Sequence, residues 1–161
     1  MFDVKHLIYL HGSESDSNSG KARQFREWFS GMLTPDFKGS FDERMGQLHS
    51  ILSDKTGWTI IGSSFGGLMG TVFTLEHPTQ VRKLILLAPA LMLEAFTSFS
   101  DPKPVSVPTI VIHGTLDTVV PLEPVREMVQ KLFTNVKYYV VEDDHRLHKS
   151  VQELDWNSIL E

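Results

Sequence analysis

The sequence predicts an α/β fold, in which a mostly parallel central sheet is flanked by helices in three layers. Short apolar runs alternate with amphipathic segments, as expected for buried strands joined by crossover helices. The runs are about four to six residues long, a usual length for a strand. The 161 residues suit one domain. We therefore expect a single domain over residues 1–161, with a sheet of about five or six strands.

Strands are predicted wherever one of these short apolar runs occurs. In chain order they are His6 to Leu10, Trp58 to Gly62, Lys83 to Ala88, Thr109 to His113 and Lys137 to Val141. A weaker candidate lies near Phe37.

Helices are predicted where apolar residues recur at helical spacing. Two lie between the first two confident strands, with apolar faces formed by Ala22, Phe25, Trp28, Phe29, Met32 and Leu33, and by Met45, Leu48, Ile51 and Leu52. Asp42 is placed to cap the second helix. Further helices are predicted from about Gly66 to Pro78, from Leu122 to Phe133 and from Leu147 to about Leu160.

The composition disfavours several classes of function. Fifteen Lys and Arg against twenty Asp and Glu give a net charge of −5, so nucleic-acid binding is not expected. The absence of cysteine excludes disulfides, thiolate metal sites and a cysteine nucleophile. No apolar run approaches the roughly eighteen residues of a membrane span, and Met1 to Leu10 lacks a signal-peptide core. We expect a cytoplasmic protein without membrane contact, and the oligomeric state stays open.

The strongest functional motif is the segment Gly62-Ser63-Ser64-Phe65-Gly66, which matches G-x-S-x-G at the end of a predicted strand. Such a strand-to-helix turn strains its central residue and requires small residues two positions away on either side. Gly62 and Gly66 meet this requirement, so Ser64 is the candidate nucleophile. The alternative is a glycine-rich turn that binds an anion, but the lysine of a P-loop and the G-x-G-x-x-G spacing are missing.

A serine nucleophile needs a general base and an acid that orients this base. Asp117 follows the strand Thr109 to His113 in a turn and is the candidate acid, although it could also serve only the backbone of that turn. Two histidines follow the last strand. His145 is the preferred base because it lies in the loop, whereas His148 is predicted to lie inside the closing helix.

A metal site is the other interpretation of this last loop, which carries Asp143, Asp144, His145 and His148. The H-x-x-H spacing differs from the H-E-x-x-H of zinc peptidases, and a metal would leave Ser64 and Asp117 unexplained. We therefore expect neither a metal nor another cofactor. The histidines at positions 6, 49 and 77 have no partners in the sequence and are predicted to be surface or packing residues.

Two hydrogen-bond donors are also required for the negative charge that develops on a substrate carbonyl. The backbone N–H of Phe65, directly after Ser64, is the first candidate. The second is the N–H of Ser13, in the loop where His11 and Gly12 follow the first strand. Gly12 could alternatively do no more than end that strand.

Taken together, these residues resemble the α/β-hydrolase superfamily. The segment Tyr9-Leu10-His11-Gly12, followed by Ser19-Gly20-Lys21-Ala22, is similar to its small, lidless YqiA-like bacterial esterase branch. The resemblance covers nearly the whole chain and includes the G-x-S-x-G, H-G-x-x-D-x-x-V-P and Asp-His-Arg-Leu motifs in the required order. It implies a minimal α/β-hydrolase fold without the first strands of larger relatives, with Ser64 as nucleophile, Asp117 as acid and His145 as base.

The substrate is less well determined than the reaction. The stretch between Ala88 and Thr109 is too short for a cap domain, so the site is expected to be open to a small acyl ester. Its apolar residues either line an acyl pocket or form the packed face of a short helix; they are Leu91, Met92, Leu93, Phe96 and Phe99. We expect a carboxylic ester hydrolase that forms an acyl-enzyme on Ser64. A thioesterase or peptidase would use the same residues, and a non-catalytic protein that binds a small ligand is the alternative outside enzymes.

Overall fold

A five-stranded parallel sheet forms the centre of the structure, a computed structural model that describes residues 2–92, 96 and 102–161. The strands are β1 (Leu7–Leu10), β2 (Trp58–Ser63), β3 (Val81–Leu87), β4 (Thr109–Gly114) and β5 (Val136–Val141). They lie in the sheet in the same order as in the chain. The predicted α/β class with a parallel sheet is therefore confirmed.

Helices connect these strands. Those in the described part of the chain are α1 (Gly20–Trp28), α2 (Phe41–Leu52), α3 (Phe65–Glu76), α4 (Leu122–Leu132), α5 (His148–Glu153) and α6 (Trp156–Leu160). Short 3-10 turns precede β1 at Val4–His6 and β3 at Pro78–Gln80. Within the described ranges, none of these helices has both the length and the apolar character that crossing a membrane requires.

Helices cover both faces of the sheet, and the strands bury side chains on both sides. Along β1, Leu7 and Tyr9 pack into one hydrophobic cluster, and Ile8 and Leu10 pack into the other. Helices α1, α5 and α6 contribute to the first cluster, and α2, α3 and α4 contribute to the second. Strands β1, β2 and β4 are buried along their whole length, which explains why they are largely apolar rather than alternating. The three-layer prediction is thus confirmed.

The parallel arrangement determines where a site can form. All carboxyl ends of parallel strands meet at one edge of the sheet, where ligands of open α/β sheets bind. Leu10 pairs with Gly62 at this edge, and Gly114 pairs with Val141 two strands further along. The loops after β1, β2, β4 and β5 therefore meet, although they are far apart in the sequence.

The weak strand predicted near Phe37 does not form. An isolated bridge occurs earlier, where Leu33 pairs with Ile8. The Tyr9 N–H donates to the Leu33 carbonyl and the Leu33 N–H donates to the Leu7 carbonyl, both at 2.9 Å. Phe37 is buried in the core without joining the sheet. Its apolar surroundings therefore come from packing and not from strand pairing.

Two features of the first helices differ from the predictions. Helix α1 ends at Trp28, well before the predicted apolar face ends, and Gly31 then turns the chain with a positive φ of 99°. Ser40, rather than Asp42, caps α2. The Ser40 hydroxyl accepts the Glu43 N–H, and the Glu43 carboxylate accepts the Ser40 N–H in return. This reciprocal capping satisfies two backbone donors, which Asp42 inside the first turn cannot do.

The closing helix predicted from Leu147 to Leu160 is divided into α5 and α6. Leu154 leaves the helical conformation with a ψ of 144°, and Asp155 caps α6 by accepting the Ser158 N–H. The break lets both short helices bury apolar side chains, Val151 from α5 and Trp156 from α6, against the same face of the sheet.

Candidate active site

Ser64 lies at a sharp turn between β2 and α3, with a φ of 55° and a ψ of −111°. Adding a Cβ atom to Gly66 would make it collide with the carbonyl oxygen of Leu10, and one on Gly62 would meet the Gly66 carbonyl oxygen. The two glycines therefore let β1, β2 and the start of α3 approach closely. This is the steric requirement that the G-x-S-x-G spacing predicts.

Backbone hydrogen bonds hold Ser64 in its strained conformation. Its N–H donates to the Leu87 carbonyl at 2.9 Å, and its carbonyl accepts the N–H groups of Gly67 at 2.9 Å and Ala90 at 3.0 Å. A positive φ is unfavourable for serine, so the surrounding elements must supply this support. The consequence is that the Ser64 hydroxyl lies at the carboxyl edge of the sheet.

The structure brings together the three side chains that were predicted to form a triad. The Nε2 atom of His145 lies 3.1 Å from the Ser64 Oγ atom, and its Nδ1 atom lies 2.8 Å from the Asp117 Oδ2 atom. A carboxylate only accepts, so Nδ1 carries the imidazole proton and Nε2 is left to accept the serine proton. The arrangement is that of a nucleophile, a base and an orienting acid.

Asp117 is fully buried, and its oxygens are occupied by donors. Its Oδ1 atom accepts the backbone N–H groups of Val119 and Val120, both at 2.8 Å, while Oδ2 faces His145. Burial raises the pKa of this carboxyl, but the bonds from Val120, His145 and Val119 outweigh it and leave the pKa below its ordinary value. Asp117 is therefore a carboxylate at neutral pH.

A second histidine, which the sequence analysis did not identify, also contacts the acid. His113 on β4 is fully buried, and its Nε2 atom lies 3.1 Å from the Val120 carbonyl and 3.3 Å from Asp117 Oδ2. Burial lowers the pKa of His113, although the Val120 carbonyl and Asp117 oppose the shift, so the ring is neutral and donates from Nε2. Its place in the H-G-x-x-D motif, four residues before Asp117, is the signal that could have revealed it.

The loop that carries His145 crosses directly over the end of β4. A Cβ atom on Gly114 would collide with the Asp143 carbonyl oxygen, which accepts the Leu116 N–H at 3.1 Å. Within the loop, Asp144 accepts the N–H groups of Arg146 and Leu147. These bonds keep the loop compact at the edge of the sheet, and the His145 side chain lies within hydrogen-bond distance of Ser64.

The two predicted oxyanion donors flank Ser64. Phe65 is the first residue of α3, a position whose N–H has no partner inside the helix. Ser13 lines the same cavity as Ser64. A Cβ atom added to the neighbouring Gly12 would lie 3.8 Å from the Cβ atom of Ser64. Both residues are thus adjacent to the nucleophile, and their role as donors remains a proposal.

His11 is a further residue whose role in this loop was not predicted. It is almost completely buried, and its Nδ1 atom donates to the Gly12 carbonyl at 2.7 Å, while its Nε2 atom accepts the Phe37 N–H at 2.9 Å. The ring therefore ties the loop after β1 to the segment that precedes α2. The His-Gly pair was noted in the sequence, but only the fold shows that the imidazole holds the loop.

A cavity of about 660 Å³ opens beside Ser64 and has mostly polar walls. Besides Ser64 and His145, its lining residues are Tyr9, Gly12, Ser13, Glu14, Ser15, Ser19, Gly20, Lys21, Ser63, Val119, Arg146 and His148. The ammonium group of Lys21 donates to the Arg146 carbonyl at 2.8 Å and so connects α1 to the His145 loop. Burial lowers the pKa of Lys21 to about 8. No sequence motif assigned this lysine to the site.

Of the apolar residues suggested as an acyl pocket, the three that the structure describes are not part of the lining of this cavity. Leu91 and Phe96 are buried in the core, and Met92 is 48% exposed. Leu91 and Phe96 pack in the core on the α3 side of the sheet instead, and a role of the three residues in acyl binding stays a prediction. Leu93 and Phe99 lie outside the described residues.

Comparison with known proteins agrees with this geometry. The chain is similar in structure to the alpha/beta hydrolase domain-containing protein 10 from mouse, with a TM-score of 0.72, 18% identity, and coverage of 91% of this chain and 84% of that one. An alpha-beta serine hydrolase homologue from Coxiella burnetii gives a TM-score of 0.74 at 18% identity, with 99% and 85% covered. Est1E from Butyrivibrio proteoclasticus gives 0.71 at 15% identity, with 96% and 88% covered.

These similarities show that the chain has the α/β-hydrolase fold, which the resemblance in the motifs implied. No curated protein gives a significant sequence match. A family model, described as serine hydrolase (FSH1), matches residues 2–154, which is nearly the whole chain and includes Ser64, Asp117 and His145. The chain is therefore a hydrolase of the α/β superfamily and belongs to the FSH1 family of serine hydrolases.

Proposed function

We propose that the protein hydrolyses carboxylic esters through an acyl-enzyme on Ser64. The observation that carries this proposal is the continuous set of hydrogen bonds from Ser64 Oγ through both nitrogens of His145 to Asp117, at 3.1 and 2.8 Å. Serine is a weak nucleophile unless a base accepts its proton, and this arrangement supplies the base, its tautomer and its orientation together.

In the first half of the reaction, Ser64 Oγ attacks the carbonyl carbon while His145 Nε2 takes the hydroxyl proton. The negative charge on the former carbonyl oxygen is stabilised by the N–H groups of Phe65 and Ser13. His145 then gives its proton to the leaving alcohol, which departs as the bond to the acyl carbon breaks. Asp117 stays ionised and stabilises the imidazolium that exists between these two transfers.

In the second half, a water molecule replaces the alcohol. His145 takes one proton of the water as its oxygen attacks the acyl carbon, and returns that proton to Ser64 Oγ when the acid leaves. No bound group beyond these side chains is needed for the atoms and protons to balance. Thioesters and amides would follow the same steps, so a comparison of kcat/KM for matched ester, thioester and amide substrates tests the proposed ester preference.

The direct test is covalent labelling with a fluorophosphonate, followed by intact-mass measurement. We expect the wild type to gain one probe, Ser64→Ala to gain none, and Ser50→Ala, on the exposed side of α2, to behave as the wild type. Turnover of p-nitrophenyl butyrate by Ser64→Ala should fall by a factor on the order of 10⁶. Normal turnover in this variant would show that another group is the nucleophile.

The same measurement separates the enzyme from a binding protein of the same fold. A folded wild type that neither reacts with the probe nor cleaves esters, thioesters or amides would favour a protein that only holds a small ligand in the cavity. The single domain and the cytoplasmic location expected from the sequence stay predictions.

A further inference from the structure

A group of three metal-ligating side chains lies at the opposite end of α3 from Ser64. His49 belongs to the last turn of α2, Glu76 is the last residue of α3, and His77 follows directly. One ligand atom from each residue lies within 4.8 Å of the others. Because α3 has 12 residues and a helix rises about 1.5 Å per residue, the group is roughly 17 Å from the nucleophile.

We propose that these three residues form a binding site for a divalent transition-metal ion of the zinc type. The Nε2 atoms of His49 and His77 are 3.2 Å apart. Two nitrogens that each lie about 2.0–2.1 Å from one tetrahedral ion are roughly 3.3 Å apart. The two imidazoles are thus already at the separation that a shared ion requires.

The proton positions also favour the site. His49 Nδ1 lies 2.6 Å from the Met45 carbonyl, which only accepts, so Nδ1 carries the proton and Nε2 holds the free electron pair. Metal-ligating histidines usually have this arrangement, in which the second nitrogen donates to a carbonyl or a carboxylate. Without an ion, His77 must supply the proton of the contact between the two Nε2 atoms, and an ion would take the place of that proton.

The neighbouring residues hold the two rings in place. The Phe73 ring packs against both imidazoles, with its centroid 5.3 Å from that of His49 and 5.0 Å from that of His77. Glu76 is exposed and adds a carboxylate, which lowers the net charge of a bound dication and leaves a fourth position for water. Two imidazoles and one carboxylate suit Zn²⁺ better than Ca²⁺ or Mg²⁺, which prefer oxygen ligands.

Metal binding would join the end of α2 to the end of α3. An ion that binds only the folded chain stabilises it, and the effect grows with the free ion concentration. His49 and His77 were predicted to be surface or packing residues without partners, because 28 positions separate them along the chain. Only the packing of α2 against α3 brings them together.

The test uses the full chain without an affinity tag, freed of metal with a chelator and titrated with Zn²⁺ by calorimetry. We expect one ion per chain in the wild type, and a melting temperature about 5–10 °C higher when free Zn²⁺ is roughly 100 times the Kd. His49→Gln and His77→Gln should weaken binding by at least about 100-fold, because loss of an outer-shell partner alone costs ~10–100-fold. Glu76→Gln should weaken it less.

His6→Gln is the matched control, because it removes a histidine that pairs with Asp3 and lies outside the cluster. Binding of Co²⁺ provides a second measurement, since a tetrahedral site gives intense visible absorption and free aqueous Co²⁺ does not. Equal Zn²⁺ affinity in the wild type and His77→Gln, or a Co²⁺ spectrum of the wild type that matches free aqueous Co²⁺, would overturn the proposal. If His49→Gln unfolds through loss of its packing on Phe73, His77→Gln and Glu76→Gln still decide the question.

Discussion

Among single residues, Asp117 determines the proton arrangement of the site. Two backbone N–H groups occupy its Oδ1 atom, and His145 donates to its Oδ2 atom. The Nε2 atom of His113, a buried and neutral ring, lies 3.3 Å from the same Oδ2 atom. A carboxylate with this many donors can only accept, so it holds His145 in the one tautomer that leaves Nε2 facing Ser64.

Replacing Asp117 with asparagine should therefore remove activity while the fold is retained. The amide oxygen can still accept from Val119 and Val120, but the amide NH₂ would then face His145 Nδ1 and favour the wrong tautomer. We expect kcat for p-nitrophenyl butyrate to fall by about 10⁴-fold, as in other triads that lose this charge, with little change in melting temperature. Asp54→Asn, at an exposed position after α2, is the control. Activity within tenfold of the wild type would contradict the assigned role of Asp117.

Lys21 is the second residue whose protonation should be measurable. Its pKa is lowered from 10.5 to about 8, chiefly by burial. Between about pH 8 and 10.5, the unfolded chain holds a proton that the folded chain has lost, so the contribution of Lys21 to the free energy of unfolding rises with pH. Below about pH 8 the charged form is destabilising by a constant amount.

The corresponding prediction compares the wild type with Lys21→Met by urea denaturation at several pH values. The free energy of unfolding of the wild type, relative to that of Lys21→Met, should increase from about pH 8 to 10.5 and stay level below about pH 8. Lys131→Met, at an exposed position on α4, is the control for removing a lysine. The same pH dependence in both variants would show that the environment of Lys21 is not special.

At the level of secondary structure, two crossings of backbone create the site. The start of α3 passes over the end of β1 at Gly66, and the His145 loop passes over the end of β4 at Gly114. Neither crossing has room for a side chain. The positions of Ser64 and His145 are thus set by close main-chain contacts between elements.

A pair of glycine substitutions tests this statement. Gly66→Ala should lower the free energy of unfolding by more than about 3 kcal/mol, since its Cβ would strike backbone that cannot move alone. Gly46→Ala, inside α2 with nothing within 4 Å of a built Cβ, should raise it by about 0.5–1 kcal/mol, because alanine favours helix. Urea denaturation of both variants gives the two values, and equal stability would contradict the proposed crossing.

At the scale of the whole molecule, apolar side chains fill the two core clusters, and the cavity beside Ser64 is lined mostly by polar residues. Among the described residues after β3, Leu91 and Phe96 contribute to the core on the α3 side. The cavity instead receives residues from the loops after β1, β2, β4 and β5, together with the start of α1. The wall beside Ser64 is consequently mostly polar, and its lining includes the charged residues Glu14, Lys21 and Arg146.

A polar wall should favour short acyl groups. Each buried methylene usually contributes about 0.8 kcal/mol, but only against apolar surroundings, which the described lining does not offer to a long chain. We expect kcat/KM for p-nitrophenyl butyrate to exceed that for p-nitrophenyl dodecanoate by at least about tenfold when both are measured as dissolved monomers. A steady rise of kcat/KM with chain length would show that an apolar surface takes part in binding.

The sequence alone was sufficient to predict the parallel sheet and the three side chains, Ser64, Asp117 and His145, that meet at its carboxyl edge. The strand segments are short and largely apolar because both faces of the sheet are buried, and this local pattern can be recognised in a single sequence. Ser64 could be found because the sharp strand-to-helix turn needs glycine two positions away on either side. Asp117 and His145 could be found because each follows the end of a predicted strand. In parallel sheets those ends share one edge, so their meeting point follows from strand order.

The tertiary structure decided everything that depends on contact between distant segments. The contact of His11 with Phe37, the bond from Lys21 to the His145 loop, and the pairing of His49 with His77 leave no periodic trace in the sequence. The division of the closing helix also depends on what it packs against. Hydrophobic periodicity records which side of an element is buried, but not which element buries it, so the lining of the cavity could only be read from the folded chain.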